Sequence, residues 1–520
     1  MKNSGSRKWW ALAPLVLAVL VVGLDGTILS VALPTLAGAL HATTSDLQWF
    51  VAAYTLIFAA AMVPAGMLGD RYGRKKLLLA GLVIFGSGSL ACALAGSAGA
   101  FIAARALLGL GGAIIFPMTI GVLPVLFSEE ERPKAVAITM AVTVAGYPIG
   151  PILGGWMLTR FHWSWVFLIN VPVVVIALIA VAFLLPETRA LERPRFDPVG
   201  ILASSAGLAV FTYGVIEAGQ KGWGASAAVV EMVAGALVLA GFVLWERRTR
   251  DPLFDLTLFR SRAFTWGTVL ATLVSFAMFG LLFAVPQYFQ AVRGTTAQGA
   301  GFGLLAMVGG LLVGALAADR LAKRIGAKFT VTLGFALIAA GLFLGSSTKV
   351  TSGLALTLAW TAVVGLGLGF SLPSSMDAAL GALSTEGSGV GSGMIQSLRM
   401  VGGSLGAAIL GSVLNSAYTS HLGLTGLPPA AQAARQSVEA GVAAARQLQS
   451  SQLLDSVRTA FVHGMDVTLL VCGGLAVIGV VLAVVFLPRR GESGAAVRAP
   501  YPAEPSDVVE RAKEPAHEVV

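Results

Sequence analysis

Residues 66–76 read Gly66-Met67-Leu68-Gly69-Asp70-Arg71-Tyr72-Gly73-Arg74-Lys75-Lys76. This dense run of charge sits between two long apolar stretches, at residues 49–69 and 77–96. On a soluble protein such a loop would be ordinary. Here each flanking stretch has the roughly 20 residues needed to cross a hydrocarbon core about 30 Å thick. The run therefore marks a turn at a membrane surface. Its charges can pair and release there, which makes it a candidate two-state hinge.

The composition agrees. The chain is 56% hydrophobic and 12% charged, with a mean hydropathy of +0.82. A soluble domain would carry about 25% charged residues. Apolar stretches of spanning length recur at 11–33, 49–69, 77–96, 100–126, 135–158, 165–186, 199–219, 227–245, 264–288, 298–318, 329–346, 354–375, 390–417 and 467–487, which predicts fourteen membrane helices. The first continues too far to be the core of a cleaved signal.

Lys and Arg orient the chain. With the N-terminus inside, about 26 of the 35 basic residues fall on inner segments. The outer ones are Arg160, Lys221, Arg293, Lys349, Arg435, Arg446 and Arg458. Both termini are thus expected in the cytoplasm. The net charge of +9 is explained by this bias, so no nucleic acid is expected as a partner. Arg far exceeds Lys, a composition suggesting a bacterial source and hence the bacterial cytoplasmic membrane. Cys92 and Cys472 both lie in apolar runs and read as small packing residues.

A faint repeat links the two ends. Gly66, Asp70, Arg71 and Gly73 are echoed by Gly314, Asp319, Arg320 and Gly326, again at an inner helix end. Transporters built from pseudo-symmetric halves show such weak self-similarity. The expected organisation is an N-terminal six-helix bundle at 1–190 and an inserted helix pair with a cytoplasmic linker at 191–262. A C-terminal six-helix bundle follows at 263–488, with a long outer loop at 418–466. That loop has a helical pattern through residues 430–457. The Pro- and Glu-rich residues 489–520 read as a disordered cytoplasmic tail.

Two ionisable residues fall inside spans, where charge is costly and usually functional. Asp25 and Arg105 lie at depths of roughly 12 and 8 Å from the outer face at 1.5 Å per residue, so they can meet. A cation beside a carboxylate favours its charged form, and separation favours the proton. Conformational change can therefore load and unload a proton; a permanent structural salt bridge is the other reading. In helix 5, Gly146, Gly150 and Gly154, with Gly155 beside them, strip side chains from the helix and allow close packing. Pro151 removes a hydrogen bond there.

Five stretches, in order, resemble the signatures of the major facilitator superfamily, and within it the fourteen-helix drug:proton antiporters (the QacA/EmrB-like branch). They are LDGTILSVALP with Asp25, Thr27 and Pro34, and the loop with Gly66, Asp70, Arg71, Gly73 and Arg74. RALLGLGG with Arg105, Gly109 and Gly111 follows, then GYPIGPILGG with Gly146, Gly150, Pro151, Gly154 and Gly155. The last is WSWVFLINVP with Trp165, Phe167, Asn170 and Pro172. The resemblance implies an all-α membrane protein of two six-helix bundles plus two inserted helices. It implies a proton-driven exporter of small lipophilic compounds, acting as a monomer among membrane lipids. Protons would be the coupling ion, with no other cofactor and no metal. It makes Asp25 and Arg105 the proton-coupling pair, the Gly66–Arg74 group a cytoplasmic latch, and the helix-5 glycines an antiporter gate. Relatives with dication substrates carry an extra deep acid, for which this chain has no clear equivalent.

Trp49, Tyr54, Phe58, Gln287, Tyr288 and Gln396 are candidates for the substrate cavity, although an interfacial aromatic belt accounts equally for Trp49 and Tyr54. Asp377 and Arg399 sit near inner helix ends, where a structural tie is as reasonable as a transport role. Glu217 is expected to be solvated. The sequence has no HExxH and no phosphate-cradling GxxxxGK[ST], so an enzyme is not expected. A nutrient symporter or uniporter on the same fold, or a membrane sensor, are the alternatives.

Overall fold

The computed structural model of this 520-residue chain describes residues 4–128, 130–189, 197–249, 256–383, 388–424 and 428–488; the expected tail, 489–520, lies outside them. These residues are helical throughout, with no extended strands. A chain in lipid must satisfy its backbone polar groups internally, and helices do so within each segment.

The helices, in order, are α1 (Ser4–Ala39), α2 (Thr44–Tyr72), α3 (Arg74–Ala93), α4 (Ala98–Leu126), α5 (Arg132–Arg160), α6 (Trp165–Leu168), α7 (Asn170–Leu184), α8 (Pro198–Lys221), α9 (Ser226–Glu246), α10 (Arg262–Gln287), α11 (Ala297–Ile325), α12 (Ala327–Gly345), α13 (Leu354–Leu380), α14 (Ser388–His421), α15 (Val438–Gln447) and α16 (Ser451–Phe486). Thirteen segments of the described residues are long and apolar enough to span a membrane, with α6 and α7 forming one of them. The fifth expected span is occupied by α5, 29 residues long.

Helices α1 to α7 pack on one another as one bundle, and α10 to α14 with α16 form the second. The repeat seen in the sequence has matching structure. Asp70 pairs with Arg74 and Asp319 with Lys323, each one helical turn apart. Gly73 (φ +119°) and Gly326 (φ +87°) then turn the chain into the next helix through a conformation that a side chain disfavours.

The inserted hairpin does not simply hang between the halves. Helix α8 packs on both α2 and α14, covering the seam where the halves meet. Ser412 on α14 donates to the Val215 carbonyl (2.8 Å), and Asn415 donates to that of Gly219 (2.9 Å). Toward α2 the contact is apolar, with Val215 and Ile216 clustered against Ala52 and Leu56. Helix α9 packs on α8 and turns Val230, Leu237 and Leu244 outward to lipid. Glu217, expected to be solvated, is instead 8% exposed and ion-paired with Lys221, because α8 continues as helix to Lys221 and packs in the hairpin.

The outer loop is shorter than 418–466. α14 runs on to His421, and α16 starts at Ser451. No proline interrupts the polar turns of α16, so the helix extends past its apolar span. Between them, a 3-10 turn (Pro429–Arg435) and the amphipathic α15 form a cap against α16.

Candidate functional site

Asp25 on α1 and Arg105 on α4 meet in the core of the first bundle. The guanidinium donates from Nη1 to Asp25 Oδ2 at 2.6 Å, with Asp25 0% and Arg105 2% exposed. α1 extends 14 residues beyond Asp25 to Ala39, further than expected, and the pair forms nonetheless. Arg105 also donates from Nε to the Phe50 carbonyl at 2.9 Å and stands 4.5 Å over the Tyr54 ring. The arginine of α4 is thus held by partners on two other helices, α1 and α2. The carboxylate is held by less, since Asp25 Oδ1 is buried with no hydrogen-bond partner. A buried carboxylate oxygen without a donor is an unfavourable arrangement.

Beside this pair lies a cavity of about 20 Å³, room for a single water. Ser30, Tyr54, Thr55 and Arg105 line it from the first bundle, and Phe279, Leu282 and Phe283 of α10 from the second. The ion pair therefore borders the junction of the two halves.

Helix α5 connects this pair to the seal between the halves. Gly146, Gly150 and Gly154 recur every four residues and form one face of the helix. That face lies on α1 along the segment carrying Asp25. A Cβ at Gly146 would approach the Gly23 backbone at 3.2 Å, at Gly150 Thr27 Oγ1 at 2.2 Å, and at Gly154 Ile28 Cγ1 at 2.5 Å. Pro151 and Gly155 face the other bundle. A Cβ at Gly155 would sit 2.6 Å from the Ala297 carbonyl, and one at Gly301 of α11 would sit 2.4 Å from that of Pro151. α5 runs as one helix through Pro151.

Other contacts close the same face, the one the Lys and Arg bias puts outside. Gln290, in the π-helical segment Tyr288–Val292, donates to the Val31 carbonyl at 3.0 Å. Gln48 on α2 donates to the Ala408 carbonyl (2.9 Å) and to Ser412 (3.1 Å) on α14. Deeper, Ser397 donates to the Ala59 carbonyl at 2.6 Å. None of these polar bridges stood out in the sequence, although a Gln in an apolar span is a usable signal.

At the opposite face, the charged loop is held within its own bundle. Arg74 is paired with Asp70 (2.8 Å) and donates to the Gly121 carbonyl of α4 at 2.6 Å. Lys75 donates to the Ala182 carbonyl, and its N–H to Glu187. Gly66 lies in ordinary contact with Pro117, and the Arg71 guanidinium stands over Tyr72. Asp70→Asn is expected to remove one charge pair worth about 1 kcal/mol or less at this half-exposed position. The balance between the two faces should shift by up to about fivefold. Accessibility of an outer-face cysteine to an impermeant maleimide measures this shift.

The expected cavity residues are dispersed. Tyr54 lines the cavity, and the Phe58 ring lies tilted against it at 5.8 Å. Trp49 does not reach it. Its ring pairs with Tyr213 of α8 at 6.2 Å, because the inserted helix covers that side of α2. Gln287 donates to the Phe283 carbonyl on its own helix, Tyr288 is fully buried, and Gln396 accepts from Arg399 at 2.6 Å. Arg399 also donates to Ser275, whereas Asp377 is exposed beside Asp319, so these contacts do not tie Asp377 to Arg399.

Comparison with known proteins places these features in context. A family model described as Major Facilitator Superfamily matches residues 15–407. The tetracenomycin C resistance and export protein of Streptomyces glaucescens is 34% identical over 511 residues, covering 96% of this chain and 95% of that one. The multidrug efflux pump LfrA of Mycolicibacterium smegmatis is 34% identical, covering 91% and 96%. The puromycin resistance protein pur8 of Streptomyces alboniger is 32% identical, covering 82% and 85%. Among solved structures, a bacterial homolog of the human lysosomal transporter Spinster, inward-facing and unoccupied, superposes with a TM-score of 0.65 at 15% identity, covering 94% of this chain and 98% of that one. A D-xylose-proton symporter gives 0.62 at 14%, covering 92% and 98%. At these identities the two structures speak to fold alone.

Proposed function

The chain belongs to the Major Facilitator Superfamily, and from that premise we propose that it is a transporter exporting small lipophilic drugs or antibiotics in exchange for protons. The relatives named for antibiotic resistance and multidrug efflux support the cargo class. The observation that carries proton coupling is the Asp25–Arg105 pair. It is buried, it leaves one carboxylate oxygen unpartnered, and it lies under the α5 face whose opposite side seals the halves.

The cycle follows from that arrangement. With the outer face closed, cargo enters from the cytoplasm or the inner leaflet. Opening the outer face requires α5 to leave α11, which slides its glycine face over α1 and disturbs the geometry around Asp25. Water then reaches the carboxylate, cargo leaves, and a proton from outside binds. The neutral acid releases Arg105 from charge pairing, the outer face closes, and inward opening discharges the proton to the cytoplasm. Each charge moved down 100 mV supplies about 2.3 kcal/mol and each pH unit about 1.4 kcal/mol. One or two protons then sustain a cargo gradient of roughly tenfold to several hundredfold. The reading implies a multi-pass cytoplasmic-membrane protein with both termini inside, working as a monomer.

Purified protein in liposomes tests this directly. Adding a lipophilic cation or polyketide to one side should drive proton movement the other way, read by an entrapped pH dye. Cells should lose their efflux of a fluorescent lipophile when an uncoupler collapses the gradient. Cargo movement with no proton countermovement would overturn the reading.

A further inference from the structure

The outer cap contains an acid that the proton cycle above does not use. Glu439 lies in the first turn of α15, outside the membrane spans. Both of its carboxylate oxygens are buried, and neither has a hydrogen-bond partner of good geometry. The Ser437 hydroxyl accepts from the Ala440 N–H at 3.1 Å, and what it and the Glu439 backbone N–H offer the carboxylate does not offset the burial.

The cap is fastened to both bundles. On the first, the N–H and hydroxyl of Thr44, at the start of α2, both donate to the Gln436 carbonyl (2.9 and 3.1 Å). On the second, the Tyr418 hydroxyl donates to the Ala434 carbonyl at 2.7 Å, and Val438, Val442 and Ala445 are buried in the core next to Val457. Separating the bundles at the outer face must therefore unseat the cap from one of them, exposing Glu439 to water.

Among the described residues, no cation is paired with the carboxylate. Arg458 of α16 donates to the Ala291 carbonyl, and Arg293, at the end of the π-helical segment, donates to that of Ser352. Arg435 and Arg446 of the cap are exposed. Besides Arg458, the outer turns of α16 carry Asp455, His463 and Asp466, and His463 stacks on His421. The outer half of α1 carries none, and Asp46 at the start of α2 bonds Thr43. The Tyr418 phenol is the titratable group close enough to feel the Glu439 charge.

We propose that Glu439 is a second proton-binding group, on the outer face, whose protonation keeps the cap seated across both bundles and the outer mouth shut. The step is simple: carboxylate plus a proton from the external medium gives the neutral acid, which tolerates burial, and the anion leaves the buried position for water. Burial pushes the seated carboxyl up from 4.5 to about 7. The sign follows: seating is fully favoured below the free value near 4.5 and is lost as pH rises through the seated value. External acid therefore closes the mouth, the direction needed after a proton has been taken up from outside.

Distance measurements between nitroxides on Ala100→Cys and Arg446→Cys, both exposed, test this in the full-length protein in lipid nanodiscs. Cys92 and Cys472 are buried and remain unlabelled. Between pH 4.5 and 7.5 the unseated-to-seated ratio should rise by up to about two orders of magnitude. In an Asp25→Asn background, which silences the α1 carboxylate, a pH-driven shift should persist, and adding Glu439→Gln should hold the cap seated across this range. A pH-independent distance in the unsubstituted Glu439 protein would overturn the proposal without any acid variant. So would a shift in the Asp25→Asn protein that survives the added Glu439→Gln, or one lost in Asp25→Asn alone, which would assign it to the α1 carboxylate. The Asp25→Asn arm separates this proposal from proton coupling at Asp25, since either can fail alone.

Discussion

Asp25→Asn is expected to abolish uphill efflux while leaving the protein inserted and folded. Asparagine is nearly isosteric and keeps an oxygen within reach of the Arg105 guanidinium, which in the native protein donates its 2.6 Å bond to a charged carboxylate. The amide cannot take up a proton, so the conformational change loses its link to the ion gradient. Concentration ratios of tenfold to several hundredfold should fall to about one, with downhill cargo movement retained. Removing the arginine should be more damaging. Arg105→Ala strips the Phe50 carbonyl and the Tyr54 ring of their partner and buries an unpaired carboxylate, a change that costs about 3–5 kcal/mol. Thermal melting of detergent-purified protein separates the two outcomes. Melting should shift little in the asparagine variant and by many degrees in the alanine variant. Uphill efflux at the wild-type rate in Asp25→Asn would remove the carboxylate from the mechanism.

Gly155→Leu should jam the transporter with its outer face open. The new side chain would push into the Ala297 carbonyl and the Gln298 backbone, neither of which can rotate away. Overpacking of this kind costs about 1–3 kcal/mol, and separation of the bundles at that point relieves it. The equilibrium should move outward by roughly 5- to 150-fold. An outer-face cysteine should label faster by a comparable factor, and transport should drop to a small fraction. Gly150→Leu, one turn earlier, should fail differently. Its side chain would meet Thr27 and Ile28 within the same bundle, distorting the segment that carries Asp25. Slow outer labelling in Gly155→Leu would show that α5 and α11 do not form the seal.

Much of this was legible in the sequence for physical reasons. Charge in a short turn between apolar runs fixes topology, and the echo at Asp319 and Gly326 is matched by a second turn of positive φ. Glycines four apart must share a helix face, so a close contact along α5 is implicit in the spacing, although its partner α1 is not. The faces of the other helices were not. In a membrane, lipid is as apolar as the protein interior, so hydropathy does not say which side of a helix meets protein. For that reason the sequence leaves Trp49 open between the cavity and an interfacial belt, whereas its ring lies against Tyr213 of α8, and nothing in the spacing places α8 over the α2–α14 seam. Glu439 does not stand out in the sequence because an acid in a polar helical stretch outside the spans reads as solvated. The pairing of Gln48 and Gln290 across the bundles rests on three-dimensional proximity, which spacing along the chain does not encode.

The two sides of α8 are unlike, and this asymmetry dictates what travels with what. Directional bonds fix it to the second bundle, while greasy contact lets the first glide beneath it. The hairpin should therefore act as a curtain hung from one moving wall, screening the slit between α2 and α14 from the surrounding acyl chains throughout the stroke. A cargo arriving sideways from the bilayer would then have one doorway instead of two, on the far flank of the molecule.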